Sequence, residues 1–216
     1  MGDDKERGSV WRRVPQQERS RDRVERILEV TDALVTSGGV EAVTTRAIAG
    51  AAGIPVASLY QYFADKEAVL LALMERDLAE LDAQVAQDVA ALSPLTVRTL
   101  VEATMRAYLS VYRRHRSLLM IFVRGRTNPA VRDYCRDHNR RLAKQLFEVA
   151  RNAGMVVPDA TGLHAELAIE VSDRLFQVAF DKDPEGDPHV VDEAIAMVSS
   201  YLESHATPTG VCGPAS

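Results

Sequence analysis

The sequence has few cysteines and few aromatic residues, and it lacks a long apolar run. Its 216 residues include two cysteines, Cys135 and Cys212, and 6% Phe, Trp and Tyr. Two cysteines cannot form a disulfide framework or a four-cysteine zinc site, so a reducing cytoplasm is the expected location. The first ten residues have no apolar core and predict no signal peptide. The longest uncharged window, residues 47–64, is interrupted by glycine and proline and predicts no membrane span.

A strong positive charge is also absent. The formal net charge of −5 argues against a generally basic, nucleic-acid-binding surface. The distribution is uneven, because residues 1–50 are neutral overall, 51–112 carry −4, 113–144 carry +8 and 145–216 carry −9. The basic segment 113–144 could be a second nucleic-acid surface or a contact with an acidic segment of another subunit. A solvated helix face is the default for such a segment, and we do not assign it to DNA.

Apolar residues recur with helical spacing along almost the whole chain, and no stretch alternates with period two. Glycine and proline break the pattern at defined points, and either Thr44 or Thr45 can cap the helix that follows them. The spacing predicts an all-α protein with helices near 18–37, 46–52, 56–63, 66–91, 95–115, 117–124, 129–153, 161–182 and 188–205. We divide it into a flexible arm (1–17), a three-helix head (18–64), a larger helical bundle (65–206) and a flexible tail (207–216).

The stretch 44–67 predicts a helix-turn-helix. Two short helices flank a three-residue break, Gly53 to Pro55, and glycine supplies the backbone freedom that the turn needs. Leu59 is expected to anchor the second helix inward, while Val56 to Ser58 form its exposed N-terminal end. That end enters the major groove in such modules. A short apolar helical hairpin would also fit these residues.

The residues of this stretch carry a family resemblance. Thr-Thr-Arg-Ala-Ile-Ala at 44–49, Ala-Gly-Ile at 52–54, Ser-Leu-Tyr-Gln-Tyr-Phe at 58–63 and Asp-Lys-Glu at 65–67, followed by Leu70, resemble the signature of the tetracycline-repressor (TetR) family. The match covers about residues 20–75. It implies a dimeric transcriptional regulator, most often a repressor, with a small molecule in the C-terminal domain changing the spacing of two DNA-reading heads.

The chemistry of these residues suits contact with DNA. Arg46 can bind guanine O6 and N7 through its two guanidinium nitrogens, and Lys66 at a helix N-terminus suits a phosphate. Thr45 could instead cap its helix, the rings of Tyr60 and Tyr62 could pack the head, and Arg46 and Lys66 could simply be solvated. The expected DNA-binding residues are Thr45, Arg46, Pro55, Val56, Ala57, Ser58, Tyr60, Gln61, Tyr62 and Lys66.

Arginines upstream of the head could add affinity. Arg12, Arg13, Arg19, Arg21 and Arg23 lie before or within the start of the first helix, and such arms can reach the minor groove. Solvated disorder is the alternative for Arg12 and Arg13 without DNA.

The second half predicts a sensor cavity and a dimer interface. Candidate cavity residues are aromatic and apolar groups with one histidine: Met105, Tyr108, Leu109, Tyr112, Phe122, Tyr134, His138, Leu142, Leu175 and Phe176. The last two long helices are apolar on more than one side and therefore need a partner. The expected dimer contacts are Leu163, Leu167, Val171, Val178, Val190, Ala194, Met197, Val198 and Tyr201, in a four-helix arrangement across a two-fold axis.

An enzyme is the weaker interpretation. Asp133, Asp137 and His138, with Cys135 nearby, could be drawn as a metal cluster, but ligands on one helix alone are a weak signal. No catalytic motif for nucleotides, acyl transfer or zinc hydrolysis is present, so we expect neither metal nor cofactor. The resemblance implies a repressor that a small molecule releases from near-palindromic double-stranded DNA. We expect an apolar or amphipathic effector and no membrane partner. The alternative is an activator or protein-interaction adaptor with the same fold and no inducer.

Overall fold

The computed structural model describes residues 18–124 and 128–212, and these are helical with no strand among them. The expected all-α class is therefore confirmed. The helices are α1 (Glu18–Gly38), α2 (Thr45–Ala52), α3 (Val56–Leu59), α4 (Lys66–Ala90), α5 (Val97–Arg114), α6 (Arg116–Arg124), α7 (Pro129–Asn152), α8 (Gly162–Lys182), α9 (Pro188–Glu203) and α10 (Pro208–Cys212). None of these helices is long and apolar enough to cross a membrane.

Local side-chain chemistry sets where several helices begin. An oxygen of the residue before the helix accepts a backbone N–H of the first turn and so satisfies one of the free donors there. Thr44 accepts from Ala47 at 3.0 Å, and Asp65 accepts from Ala68 at 2.8 Å. Asn128 and Asp187 do the same for α7 and α9. Thr44, and not Thr45, is therefore the N-cap of α2.

The described residues form two units, and their boundary differs from the expected division at residue 64. The first unit comprises residues 18–78 with 115–124 and 128–134, and the second comprises 79–114 with 135–212. Helix α6 joins the first unit because it packs against α1, where Ser117 hydrogen-bonds Asp32. The expected flexible arm, including Arg12 and Arg13, lies outside the described residues.

The core of the first unit is built by α1, α2, α3 and the first part of α4. Ile27, Ile48, Leu59, Phe63 and Leu73 are fully buried in it. In α1, Thr31 replaces an apolar residue on the buried face, and its hydroxyl donates to the Ile27 carbonyl at 2.7 Å. Burial of each large side chain contributes on the order of 1.5–3 kcal/mol, so this small unit depends on all four helices.

Aromatic packing organises the core of the second unit. The rings of Tyr112 and Phe176 meet edge to face with centroids 6.1 Å apart, and Tyr112 meets Phe180 at 5.9 Å. Tyr108 stacks on Phe176 at 5.9 Å. These contacts fasten α5 to α8, and offset or edge-to-face pairs of this kind are favoured beyond their buried area.

Part of the expected flexible tail is a packed helix. Within α10, Gly210 is buried, and the backbone N–H of Thr207 donates to the Met155 carbonyl at 2.9 Å. A Cβ at Gly210 would lie 2.2 Å from that same carbonyl oxygen. The glycine is thus required by a close backbone approach, which the pattern of small residues does not reveal.

We predict that Gly210→Ala destabilises the second unit by about 1–3 kcal/mol, because the added methyl group must displace the backbone at Met155. Thermal unfolding followed by circular dichroism measures the loss, and limited proteolysis shows whether α10 detaches. Gly162→Ala is the matched control, since a Cβ there meets no atom within 4 Å. Equal unfolding temperatures for the two variants would contradict the prediction.

Candidate functional site

The turn between α2 and α3 is held by a left-handed glycine. Gly53 has φ 67° and ψ 31°, and its N–H donates to the Gly50 carbonyl at 3.2 Å while that of Ile54 donates to Ala49 at 3.0 Å. These bonds end α2 and direct the chain into Pro55, which precedes α3. The regular part of α3 ends at Leu59, and a turn through Tyr62 follows, so the second helix is shorter than the expected 56–63.

Most of the expected DNA-binding side chains lie on the surface of this head. Arg46, Pro55, Ala57 and Gln61 are exposed, as is Tyr60 with 42% of its surface accessible. Thr45, Val56, Ser58 and Lys66 are half-buried. The hydroxyls of Thr45 and Tyr60 lie 3.5 Å apart, so the structure brings together one residue from the start of α2 and one from the end of α3.

Tyr62 differs from the expectation. Its side chain is buried, and its hydroxyl donates to Ser20 Oγ of α1 at 3.5 Å. The ring follows Leu59 by three residues and therefore faces the same core as that anchor. The structure therefore supports a packing role for Tyr62, which is not among the exposed side chains of the head.

Sequence reasoning missed a buried ionic cluster in the first unit. Asp77 is buried, accepts from Arg76 Nε at 2.9 Å and lies 3.5 Å from His115 Nδ1. Burial raises the pKa of Asp77, against the opposing charges of Arg76 and His115. Arg76 also donates to Glu25 at 3.1 Å. The cluster ties α4 to α1 and to the residue before α6, and the sequence gives no periodic signal for it.

The second unit contains a cavity of about 90 Å³ between α5, α7, α8 and α9. This is several times the roughly 10–15 Å³ that one water molecule needs. Of the ten expected cavity residues, Met105, Tyr108 and Phe176 line it. In the same unit, those that do not line it are Leu109, Tyr112, His138, Leu142 and Leu175. Phe122 and Tyr134 belong to the first unit. Helical spacing shows that a face is buried without showing what it faces, so it does not separate these residues from the three that line the cavity.

The pKa values of two buried side chains in this unit, Tyr108 and His138, are shifted by their surroundings. Burial raises the pKa of Tyr108 well above its ordinary value, and the charges of Asp173 and Asp82 add to the effect. His138 lies 3.6 Å from Asp82 and away from the cavity. Burial lowers the pKa of His138, while Asp82 opposes the shift. Within residues 18–124 and 128–212, no three His, Cys, Asp or Glu side chains form a group that could hold a metal.

Helices α8 and α9 expose an apolar surface, which we call the α8–α9 face. Five of the expected dimer residues are large, apolar and exposed: Leu163, Leu167, Val171, Val178 and Met197. Val190 and Tyr201 are half-buried. Ala194 and Val198 are buried within the unit, and Val198 lines the cavity. Helix α9 is apolar on two sides, and the sequence does not show that the side with Ala194 and Val198 faces inward.

Comparison with known proteins agrees with this architecture. The family model of bacterial regulatory proteins of the tetR family matches residues 27–73, and the tetracyclin repressor-like C-terminal domain matches residues 96–202. The HTH-type transcriptional repressor KstR of Mycobacterium tuberculosis is 40% identical over 67 residues, which are 31% of this chain and 30% of that protein. The chain therefore spans under a third of the length of the curated relatives that it matches.

Solved structures extend the likeness over most of the chain. A TetR-family transcriptional regulator from Streptomyces coelicolor has a TM-score of 0.69 and 26% identity, with 85% of this chain and 99% of that chain covered. The fatty acid degradation regulator FadR from Bacillus halodurans has a TM-score of 0.65 and 15% identity, with 82% of this chain and 94% of that chain covered. At this identity the likeness shows only that the two chains share a fold. With the two family models matching the head and the helical bundle in order, the chain belongs to the TetR family of bacterial transcriptional regulators.

Proposed function

We propose that this chain is a dimeric, sequence-specific DNA-binding repressor that a small molecule releases from its operator. The observation that carries the proposal is the helix-turn-helix of the first unit, in which Gly53 directs α3 so that Pro55, Ala57 and Gln61 stay exposed. A head of this kind places the start of its second helix in the major groove. Since its partner is DNA, we place the protein in the cytoplasm, and no enzymatic activity is part of the proposal.

The exposed side chains divide into base-reading and phosphate-binding groups. Arg46 is the group on this face that can bind guanine through two nitrogens, while Val56 and Ala57 can contact thymine methyl groups. Thr45 and Tyr60, whose hydroxyls lie 3.5 Å apart, can bind one phosphate together. Lys66 is the first residue of α4, where its ammonium group and the helix N-terminus both attract an anion.

The α8–α9 face supports dimerisation. Its four residues on α8 recur at intervals of four and seven, Leu163, Leu167, Val171 and Val178, so they form one stripe. Exposed apolar stripes of this kind mark interaction surfaces. Two copies paired through α8 and α9 would form a four-helix interface about a two-fold axis. Such a dimer would present two heads to a near-palindromic site, about 34–36 Å or a multiple apart.

Release by a ligand is supported by the cavity and by the length of α4. The cavity is walled by α5, α7, α8 and α9, and α4 is one continuous helix whose residues belong to both units. A ligand that binds the DNA-incompetent conformation more tightly would shift the population toward it. We propose that this shift acts on α4 and changes the spacing of the two heads.

We predict that Arg46→Ala weakens binding to the preferred DNA sequence by about 1–3 kcal/mol per head and relaxes the preference at one base pair of each half-site. Selection from a random-sequence DNA pool with each protein, followed by titration of the selected site, measures both effects. Arg132→Ala on α7 is the control, because Arg132 is also an exposed arginine and lies in the basic segment 113–144. A preserved base preference in Arg46→Ala would contradict the reading role.

We predict that Lys66→Ala weakens binding to all DNA sequences alike. The slope of log binding constant against log salt should become shallower by about 0.9 for each lost phosphate contact. Fluorescence anisotropy at several salt concentrations gives the slope, with Lys144→Ala on α7 as the control for loss of one lysine. If the two variants have the same slope as the unaltered protein, Lys66 does not contact phosphate.

We predict that Leu167→Lys prevents dimer formation at micromolar concentration, because it places a charge in the centre of the α8–α9 face. Sedimentation velocity distinguishes monomer from dimer. Val211→Lys on α10 is the matched control, since Val211 is 43% exposed and Leu167 is 45% exposed. The interface assignment fails if Leu167→Lys remains a dimer while its unfolding temperature is unchanged.

A further inference from the structure

The wall of the cavity is polar near the start of α8 and again near the middle of that helix, and it is apolar between these two positions. Leu100, Val101 and Met105 of α5 and Leu146 and Phe147 of α7 form much of the apolar wall. On α8, the polar lining residues are His164 near the first turn and Ser172 with Asp173 two turns further along. The Ser172 hydroxyl donates to the Ala168 carbonyl at 2.7 Å and is satisfied within its own helix. On α8, His164 and Asp173 are therefore the lining residues whose polar groups can bind a ligand.

Tyr108 and Asp173 form the inner end of the cavity. Tyr108 is 6% exposed, and its hydroxyl has no hydrogen-bond partner among the described residues. Because burial and the neighbouring carboxylates raise the pKa of Tyr108, this hydroxyl keeps its proton and acts as a donor. Asp173 lines the same end, and one of its oxygens accepts from Asn139 Nδ2 at 2.6 Å. This end thus offers one donor beside a carboxylate that accepts several hydrogen bonds.

His164 and His205 form the outer end. Their rings lie with centroids 4.0 Å apart, both line the cavity and both are half-buried. His164 Nδ1 lies 3.0 Å from the backbone N and 3.1 Å from the carbonyl oxygen of Thr161, and in the capping box of α8 it accepts from the Thr161 N–H. In the neutral ring, Nε2 of His164 then carries the proton and is a donor. Two imidazoles at a partly exposed end suit a carboxylate, which need not lose all of its water there.

The two ends are far enough apart to require an elongated ligand. Asp173 follows His164 by nine residues in α8, which corresponds to about 13.5 Å along the helix axis. The wall between them includes Ala165, Ala168 and Ile169, whose apolar side chains exclude a polar middle section. A straight aliphatic chain with a polar group at each end fits this distribution.

Building on the ligand-dependent release proposed above, we propose that the cavity binds an elongated aliphatic hydroxy acid. Its hydroxyl accepts a hydrogen bond from Tyr108 and donates one to Asp173. Its carboxylate lies beside His164 and His205, and its methylene chain contacts the apolar wall. A hydroxyl is the neutral group that both accepts and donates, and it therefore satisfies the two sides of the inner end together.

Three ten-carbon probes of equal length test the two ends separately: ω-hydroxydecanoic acid, decanoic acid and decanol. Calorimetric titration of the full chain gives their dissociation constants. We expect the hydroxy acid to bind about tenfold more tightly than either of the other probes. Decanoic acid has no hydroxyl to pair with Tyr108 and Asp173, and decanol has no carboxylate to pair with His164 and His205. Equal affinity of the hydroxy acid and decanoic acid overturns the inner-end assignment, and failure of all three probes to bind overturns the whole proposal.

Matched variants assign each end to its residues. Tyr108→Phe should make the hydroxy acid bind no better than decanoic acid. Thr104→Val is its control, because the Thr104 hydroxyl also lines the cavity but already donates to the Leu100 carbonyl at 2.8 Å. His205→Phe keeps a ring against His164 and should weaken both acids while leaving decanol unchanged. Equal losses in Tyr108→Phe and Thr104→Val would overturn the role of Tyr108.

Measuring DNA binding in the presence of each probe distinguishes the proposal about the cavity ligand from the proposal that a ligand releases the protein from DNA. If the hydroxy acid binds with the expected variant pattern but leaves the affinity for the selected DNA unchanged, the cavity assignment is supported and release is contradicted. If no probe binds while DNA binding is normal, the cavity assignment is contradicted and the DNA-binding role is supported.

Discussion

The left-handed backbone at Gly53 is the constraint on which the reading head depends. Its φ of 67° lets α2 end with bonds from Gly53 and Ile54 back to Gly50 and Ala49, and the chain leaves in the direction that α3 needs. An L-residue with a side chain would be strained there even though a Cβ at Gly53 meets no atom within 4 Å. The direction in which α3 leaves α2, and with it the exposed positions of Ala57 and Gln61, therefore depends on this turn.

Buried polar groups contribute differently in the two units. In the first, Asp77 Oδ1 accepts from Arg76 and lies 3.5 Å from His115 Nδ1, while Asp77 Oδ2 has no hydrogen-bond partner among the described residues. The contacts of Oδ1 and of Arg76 join α4 to α1 and to the residue before α6. In the second, the Tyr108 hydroxyl is buried against an apolar cavity with no hydrogen-bond partner among the described residues. A buried donor without a partner costs about 1–3 kcal/mol, so that cost would be removed by a ligand that accepts from Tyr108. The two sites differ in their surroundings, because Asp77 lies among charged side chains that join helices, whereas Tyr108 lines a cavity in which a ligand could accept its hydrogen bond.

The sequence predicts local features of this protein better than long-range ones. Helix bounds agree to within a few residues because capping side chains such as Thr44 and Asp65, and breaks such as Gly53, act over one turn. The lining of the cavity has no such local signal, since whether Tyr112 or Tyr108 lines it depends on which helix packs beside α5. The burial of Tyr62, Ala194 and Val198 depends in the same way on contacts between helices. Asp77, His205 and Asp173 carry no periodic signal, because their partners are distant in sequence.

The two faces of α8 connect the proposed cavity and the proposed interface through one helix. Ala168, Ser172 and Phe176 line the cavity on one side, while Leu167 and Val171 lie exposed on the other. A packed helix moves as a body, because interiors are dense and resist local compression. A ligand that widens the cavity would therefore displace the stripe that we assign to the dimer contact. The effector and the partner subunit would then both act on the position of α8, and coupling between two sites requires such a shared element.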